Sequence, residues 1–363
     1  MDARYWIGFT LVPGIGPARL RKLLERFGDI ELAWRADQRE YIRAGLDNKS
    51  AEAIIATRQR INLDEQMECI QRFGADILTW EDHRYPERLK HIYASPPVLY
   101  FKGQILPEDD WSIAVVGTRR ATMYGKQITE QIVSDLVANR VTIVSGLARG
   151  IDSYAHHACL AAGGRTIAVL GSGLDVIYPP ENAKLAREIV ENGAVLTEHP
   201  LGTKPDAVNF PQRNRIVSGL SLGTLVIEGD MGSGAMLTAG FALDHGREVF
   251  AVPGNVFHRT SKGTNRLIQR GAAKLVTSAQ DILEELNLTF APQQMEMREL
   301  LPENPTEAAL LKTLSVEPLH IDEIGRISGL PISEVSAALA MMELKGMVKH
   351  LGGMNYVIAR PGS

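Results

Sequence analysis

The sequence predicts an α/β protein: a doubly wound core between a helical N-terminal region and a C-terminal winged helix. Three patterns in its 363 residues carry that reading. Residues 111–286 alternate short apolar runs with helix-length stretches, the βαβα rhythm of a sheet covered on both faces. Residues 1–75 carry helical spacing. Residues 306–363 form a small domain that reads helix, helix, turn, helix and then two short strands around Gly352-Gly353.

The elements follow in order. Leu20, Leu23, Leu24 and Phe27 fall on one helix face, and Leu46, Ile54 and Ile55 suggest another short helix. Upstream, Val12-Pro13-Gly14-Ile15-Gly16-Pro17 resembles the turn of a helix-hairpin-helix. Such a turn can offer backbone amides to a phosphate, but Pro17 removes one of them, so a structural turn fits equally well. Residues 76–110, with Tyr85-Pro86 and Pro96-Pro97, read as a linker with short extended pieces. Strands are expected at 113–116, 141–144, 166–170, 194–197, 224–227 and 248–252, each apolar enough for a parallel sheet. Helices are expected between them, for example at 126–138, 154–162, 184–191 and 235–245. The core extends to about residue 290, and residues 291–305, rich in Pro and Gln, read as a second linker. In the last domain, helices are expected at 307–314, 320–329 and 331–345, with Ser333 as an N-cap after the Gly329-Leu330-Pro331 turn.

Charge narrows the function classes. The chain carries 39 Lys/Arg against 43 Asp/Glu, a net charge of -4, which excludes a polycation. The balance is +1 over residues 1–104, -2 over 105–290 and -3 over 291–363. Inside the core the charges are sorted. Only cations lie between Glu248 and Asp281 (Arg259, Lys262, Arg266, Arg270, Lys274), and only Arg213 and Arg215 between Asp206 and Glu228. Such local concentration suits an anionic ligand, or else a solvated face balanced in space by distant acids. Two cysteines, Cys69 and Cys159, exclude a disulfide framework and a four-cysteine zinc site. The first residues lack the pattern of a secretory signal, and no run of about 18 apolar residues occurs, so a cytoplasmic protein is expected.

The strand ends carry the chemistry. The first is followed by Gly117-Thr118-Arg119-Arg120, the second by Ser145-Gly146-Leu147-Ala148-Arg149-Gly150-Ile151-Asp152, and the third by Gly171-Ser172-Gly173. Gly232-Ser233-Gly234 follows the strand that ends near residue 227. Glycines let backbone amides approach a phosphate, a following helix N-terminus adds donors, and arginine adds a bidentate fork. The dinucleotide fingerprint is absent, because the glycine after Gly117 is Gly125. In Phe210-Pro211-Gln212-Arg213-Asn214-Arg215, Pro211 is expected to hold Phe210 in a loop. An aromatic ring beside two arginines is what a single strand needs, unless Phe210 plugs the core and the arginines pair with Glu198 or Glu228. Asp152, His156, His157 and Cys159 do not complete a metal ligand set. No nucleophile elbow is present, so neither a metal, a cofactor nor a catalytic residue is expected.

Taken together, these motifs resemble the DNA-processing protein family, DprA, also called Smf. Further segments carry the likeness: Val115-Val116, Leu170, Leu174-Asp175, Tyr178-Pro179, Ile216, Ala235, Val252-Pro253-Gly254 and Gly263-Thr264-Asn265-Arg266-Leu267-Ile268. The resemblance spans nearly the whole chain. It implies an extended Rossmann-like core, a helical sterile-alpha-motif-like or hairpin N-terminus and a winged helix. It implies a non-enzymatic binder of single-stranded DNA that loads the RecA recombinase in natural transformation, and a homodimer formed through the Rossmann-like domain. The family's pocket carries over to Arg119 or Arg120, Ser145-Gly146 and Phe210. Where some members have a lysine three residues before the aromatic, this chain has Ala207, and Lys204 is the nearest substitute. The expected DNA-binding set is completed by Arg149, Gly171, Ser172, Arg213, Asn214, Arg215, Ser233, Gly234, Lys262 and Asn265.

Two other classes remain. The core also resembles nucleoside-monophosphate phosphoribohydrolases, which place a glutamate soon after a glycine-rich turn. Here the turn at 231–238 is followed by no carboxylate until Asp244. A duplex-binding regulator would use the winged helix, but its recognition helix holds Glu334 and Glu343 against Lys345, which suits a protein contact better.

Overall fold

A computed structural model describes residues 2–288, 304–314, 319–344, 347–350 and 353–358. The chain divides into two compact units between Leu286 and Asn287.

The first unit is built on one nine-stranded sheet. Its strands are β1 (Asp76–Thr79), β2 (Val98–Gly103), β3 (Ser112–Val116), β4 (Thr142–Ser145), β5 (Thr166–Val169), β6 (Gly193–Thr197), β7 (Gly223–Val226), β8 (Glu248–Ala251) and β9 (Lys274–Leu275), in the order β1-β2-β6-β5-β4-β3-β7-β8-β9. Strands β3 to β9 run parallel, and β3 to β7 are buried throughout, as suits their mainly apolar composition with small hydroxyl residues at the ends or middle of each. Residues 76–110 correct the linker expectation: β2 pairs antiparallel with β6, and β1 with β2. Pro96 and Pro97 precede β2, so they remove no ladder hydrogen bond, and Val98, Leu99 and Tyr100 are fully buried.

The N-terminal region forms six short helices: α1 (Ala3–Thr10), α2 (Pro17–Phe27), α3 (Ile30–Arg35), α4 (Gln38–Arg43), α5 (Asn48–Arg60) and α6 (Leu63–Phe73). Side chains of Asp2, Asp29, Asp37, Asp47 and Asn62 cap five of them, which is how so many fit in so few residues. Helix α1 buries Trp6 and Phe9, and Thr10 Oγ1 lies 3.0 Å from the Tyr100 hydroxyl of β2. The helical region is thereby joined to the edge of the sheet. In the hairpin-like turn, Arg19 donates to the Gly14 carbonyl at 2.6 Å and pairs with Asp47.

Across the core run α8 (Met123–Ala138), α9 (Ile151–Ala161), α10 (Ala183–Glu191), α11 (Asn209–Leu220), α12 (Gly234–Asp244), α13 (Lys262–Gln269) and α14 (Ala279–Glu285), after a single turn, α7 (Glu87–Lys90), in the 76–110 segment. The chain moves outward from β3 through β4, β5 and β6, then returns beside β3 to form β7, so the topology switches between β3 and β7. Open α/β sheets bind ligands at such a point, beyond the strand ends.

In the second unit, α15 (Pro305–Thr313), α16 (Ile321–Ser328) and α17 (Ile332–Leu344) pack with a three-stranded sheet of β10 (Leu319–His320), β11 (Val348–His350) and β12 (Asn355–Ile358), in the order β10-β12-β11. Leu310, Ile324, Val335, Leu339 and Met342 are fully buried in its core. Ser333 lies inside the first turn of α17, so it is not the N-cap expected; the Pro331 carbonyl accepts from Glu334 and Val335 instead. Of the linker expected at 291–305, residues 291–303 lie outside the described residues, as do Lys345 and Gly352, whereas Asn304 caps α15 and Pro305 begins it, a position where a missing N–H costs nothing.

Candidate nucleic-acid interface

A cleft of about 640 Å³ opens at the switch point. One wall is the β3 turn, with Thr118 and Arg119; the floor is the β4 turn, with Gly146, Ala148 and Asp152. Helix α11 supplies Phe210, Arg213 and Asn214, and the start of α12 supplies Ser233, Gly234 and Thr238. Of the residues expected from sequence, the cleft brings together Arg119, Gly146, Phe210, Arg213, Asn214, Ser233 and Gly234.

Phe210 is positioned from three sides. Its ring lies against Gly171, where an added Cβ would stand 2.9 Å from Cδ1, so any side chain here would push the ring aside. Tyr178 stands with its ring centroid 5.5 Å away, and the Arg119 guanidinium lies 5.9 Å from the ring centre. The ring is half-buried, with Tyr178 37% exposed beside it. Phe210 is not in a loop, as Pro211 suggested: both residues sit in the first turn of α11. A first-turn proline is tolerated because its missing N–H would find no helical partner there.

Arg213 corrects the expectation most sharply. Its side chain is buried beneath the cleft, donating to the carbonyls of Gly146 and Val169. Burial lowers its pKa to about 10, against the pull of Asp152. The Asp152 carboxylate accepts from the amides of Gly146 at 3.2 Å and Ala148 at 3.4 Å, and burial pushes its pKa up while Arg213 opposes the shift. The two charges fix the β4 turn and leave no free fork for a phosphate.

Other expected contacts are spent on structure. Arg215 is buried; it holds both oxygens of Glu198, at 2.7 and 2.6 Å, and the Ala94 carbonyl at 3.0 Å. Ser145 donates to the Val115 carbonyl and Ser172 to that of Val176, each at 2.6 Å and each fully buried. The Asn265 amide is tied to both backbone atoms of Gly254. Arg149 pairs with Glu181, and Arg120, Lys204 and Lys262 are exposed but outside the cleft lining, where Ala207 lies.

The α12 end differs. Ser233 precedes its first turn, and its buried Oγ has no hydrogen-bond partner among the described residues. The start of this 11-residue helix lines the cleft with its positive dipole end, while the Ser233 hydroxyl itself is covered and lies toward Gly229. The expected DNA-binding set left out the lining residues Thr118, Asp152, Tyr178 and Thr238. Thr118 and Asp152 stood in the strand-end motifs and Tyr178 in the family likeness, whereas Thr238 carried no signal. Among the described residues, no cluster of side chains could hold a metal ion, and no helix is long and apolar enough to cross a membrane.

Comparison with known proteins decides the family. Residues 76–287 match the family described as DNA recombination-mediator protein A, and residues 295–354 match the DprA winged helix domain. The chain belongs to the DprA family. Protein Smf of Synechocystis is 35% identical, over 98% of both chains, and protein Smf of Escherichia coli 34%, over 92% of this chain and 93% of its own. DNA processing protein DprA of Bacillus subtilis is 46% identical over 59% of this chain and 72% of its own. Among solved structures, DprA of Streptococcus pneumoniae aligns with a TM-score of 0.71 and 36% identity, covering 78% of this chain and 98% of its own. DprA of Helicobacter pylori, described for its single-stranded DNA binding mode, aligns at 0.53 and 32%, over 58% of this chain and 95% of its own.

Proposed function

We propose that the cleft binds single-stranded DNA and that the chain is a non-enzymatic recombination mediator. The observation that carries this is Phe210: a half-exposed ring, held by Gly171 and Tyr178, beside a guanidinium with no carboxylate partner among the described residues. A base can stack on the ring, a phosphate can meet Arg119, and a neighbouring phosphate can meet the N-terminal end of α12. The Helicobacter relative, by its description, binds single-stranded DNA, which supports the same use here. Loading of a RecA-type recombinase in transformation, homodimerisation through the core and a cytoplasmic site of action belong to the same proposal, and family membership supports them. We assign the winged helix an auxiliary, protein-contacting role, since α17 carries Glu334 and Glu343 and no Lys or Arg.

The test is a titration of oligothymidylate and of a duplex of equal length in rising salt. Tighter binding of the single strand, weakening linearly with the logarithm of salt, is expected. Equal affinity for the two, or no salt dependence, would overturn the reading.

A further inference from the structure

We infer that a single strand leaving the cleft continues around α11 onto a second surface made by residues 90–93 and helix α2. This rests on the single-strand reading of the cleft. A chain of contacts leads away from Phe210. Pro211 and Gln212 are exposed at the start of α11. Further along, Arg215 donates to the Ala94 carbonyl, and Gly219 leaves room for Leu89 and Ile92, each 3.0 Å from where its Cβ would stand. The 89–94 segment is thus clamped to α11, roughly 8 to 14 Å along the helix from Phe210. In that clamp Ile92 turns inward and Tyr93 turns outward, 89% exposed.

Next to this segment stand three cations, on elements that also expose Glu25 and Glu87. Arg21 of α2 lies over the Trp80 ring at 5.1 Å and reaches the Lys90 carbonyl at 3.5 Å. Lys22 and Lys90 are exposed beside it. Neighbouring cations are neutralised, Arg19 by Asp47 and Arg88 by Asp110, whereas Arg21, Lys22 and Lys90 form no ion pair among the described residues. A free ring followed by three unpaired cations repeats the cleft's own combination of stacking face and phosphate partners. It also gives the helical region a role in DNA binding that does not depend on the amides of its hairpin turn.

Oligothymidylates of about 6 and about 20 nucleotides separate the two surfaces, the shorter being enough to fill only the cleft. Tyr93→Ala should weaken the long oligomer about tenfold. The triple charge reversal Arg21→Glu, Lys22→Glu, Lys90→Glu should weaken it at least as much and reduce its salt slope by about 2. Both variants should bind the short oligomer as the unaltered protein does, which also shows that they fold. Unchanged affinity for the long oligomer, or equal losses at both lengths, would overturn the inference. Phe210→Ala is the separate control: if it leaves the short oligomer unaffected, the cleft reading itself fails, and the continuation with it.

Discussion

Replacing Phe210 by alanine removes the stacking face and no cation. Base–aromatic stacking is worth about 1–3 kcal/mol per base, a loss of about 5- to 150-fold in affinity. Tyr178, 5.5 Å away and 37% exposed, remains to offer a second ring, so the lower half of that range is expected. The fold should hold. The ring is half-buried at the mouth of the cleft, so its removal widens an open groove rather than sealing a cavity, and the cost should fall below the ~3–5 kcal/mol of a core Phe→Ala. Fluorescence anisotropy of a labelled oligothymidylate measures the affinity across a salt series. The slope against salt should not change, because no phosphate contact is lost. Arg119→Ala, in contrast, should lower the slope by about 0.7. Unaltered affinity in Phe210→Ala, or a loss that appears only as a changed salt slope, would refute the stacking argument.

Three further outcomes follow from the geometry. Arg213→Ala should cost about 1–3 kcal/mol in a denaturant titration, because it leaves the buried Gly146 and Val169 carbonyls without their donor, while Arg119→Ala leaves stability near that of the unaltered protein; equal stability in the two variants would mean Arg213 is not the buried tie described. Gly171→Ala should weaken oligothymidylate binding several-fold with a melting temperature close to normal, since its methyl displaces the Phe210 ring; unchanged binding would show that ring position is not critical. His156 is fully buried, with Nδ1 2.7 Å from Thr166 Oγ1 and Nε2 without a hydrogen-bond partner among the described residues, and burial lowers its pKa to about 3. The unfolded imidazole takes up a proton below about pH 6.5 while the folded one stays neutral, so stability is lost as pH falls, by about 2 kcal/mol near pH 5. His156→Leu should flatten this loss in urea midpoints measured between those pH values; an unchanged pH profile would place the titration elsewhere.

Most of the core was legible because its strands are apolar on both faces, a pattern few other structures produce. The strand-end glycines were legible for the same reason that they matter: they mark where backbone must pass close to something else. What escaped depends on helix phase. Arg213 and Arg215 look alike on either side of Asn214, but α11 turns one under the β4 turn and the other toward Glu198. That could not be read while Pro211 seemed to place this stretch in a loop. Ser145 and Ser172 sit in the right turns, yet their hydroxyls close local backbone hydrogen bonds, which composition does not reveal. Strands β1 and β2 were read only as short extended pieces of a linker, because Pro86, Pro96 and Pro97 mark the segment as irregular and the antiparallel pairing of the strands falls outside the βαβ rhythm.

The central claim is that a base stacks on Phe210 at the switch point of the sheet. A crystal structure of the full chain with an oligothymidylate tests it most directly. The account predicts a thymine ring against Phe210, with one phosphate at Arg119 and another at the start of α12 beside Ser233. An oligomer bound on another face, with this cleft holding only solvent, would contradict it.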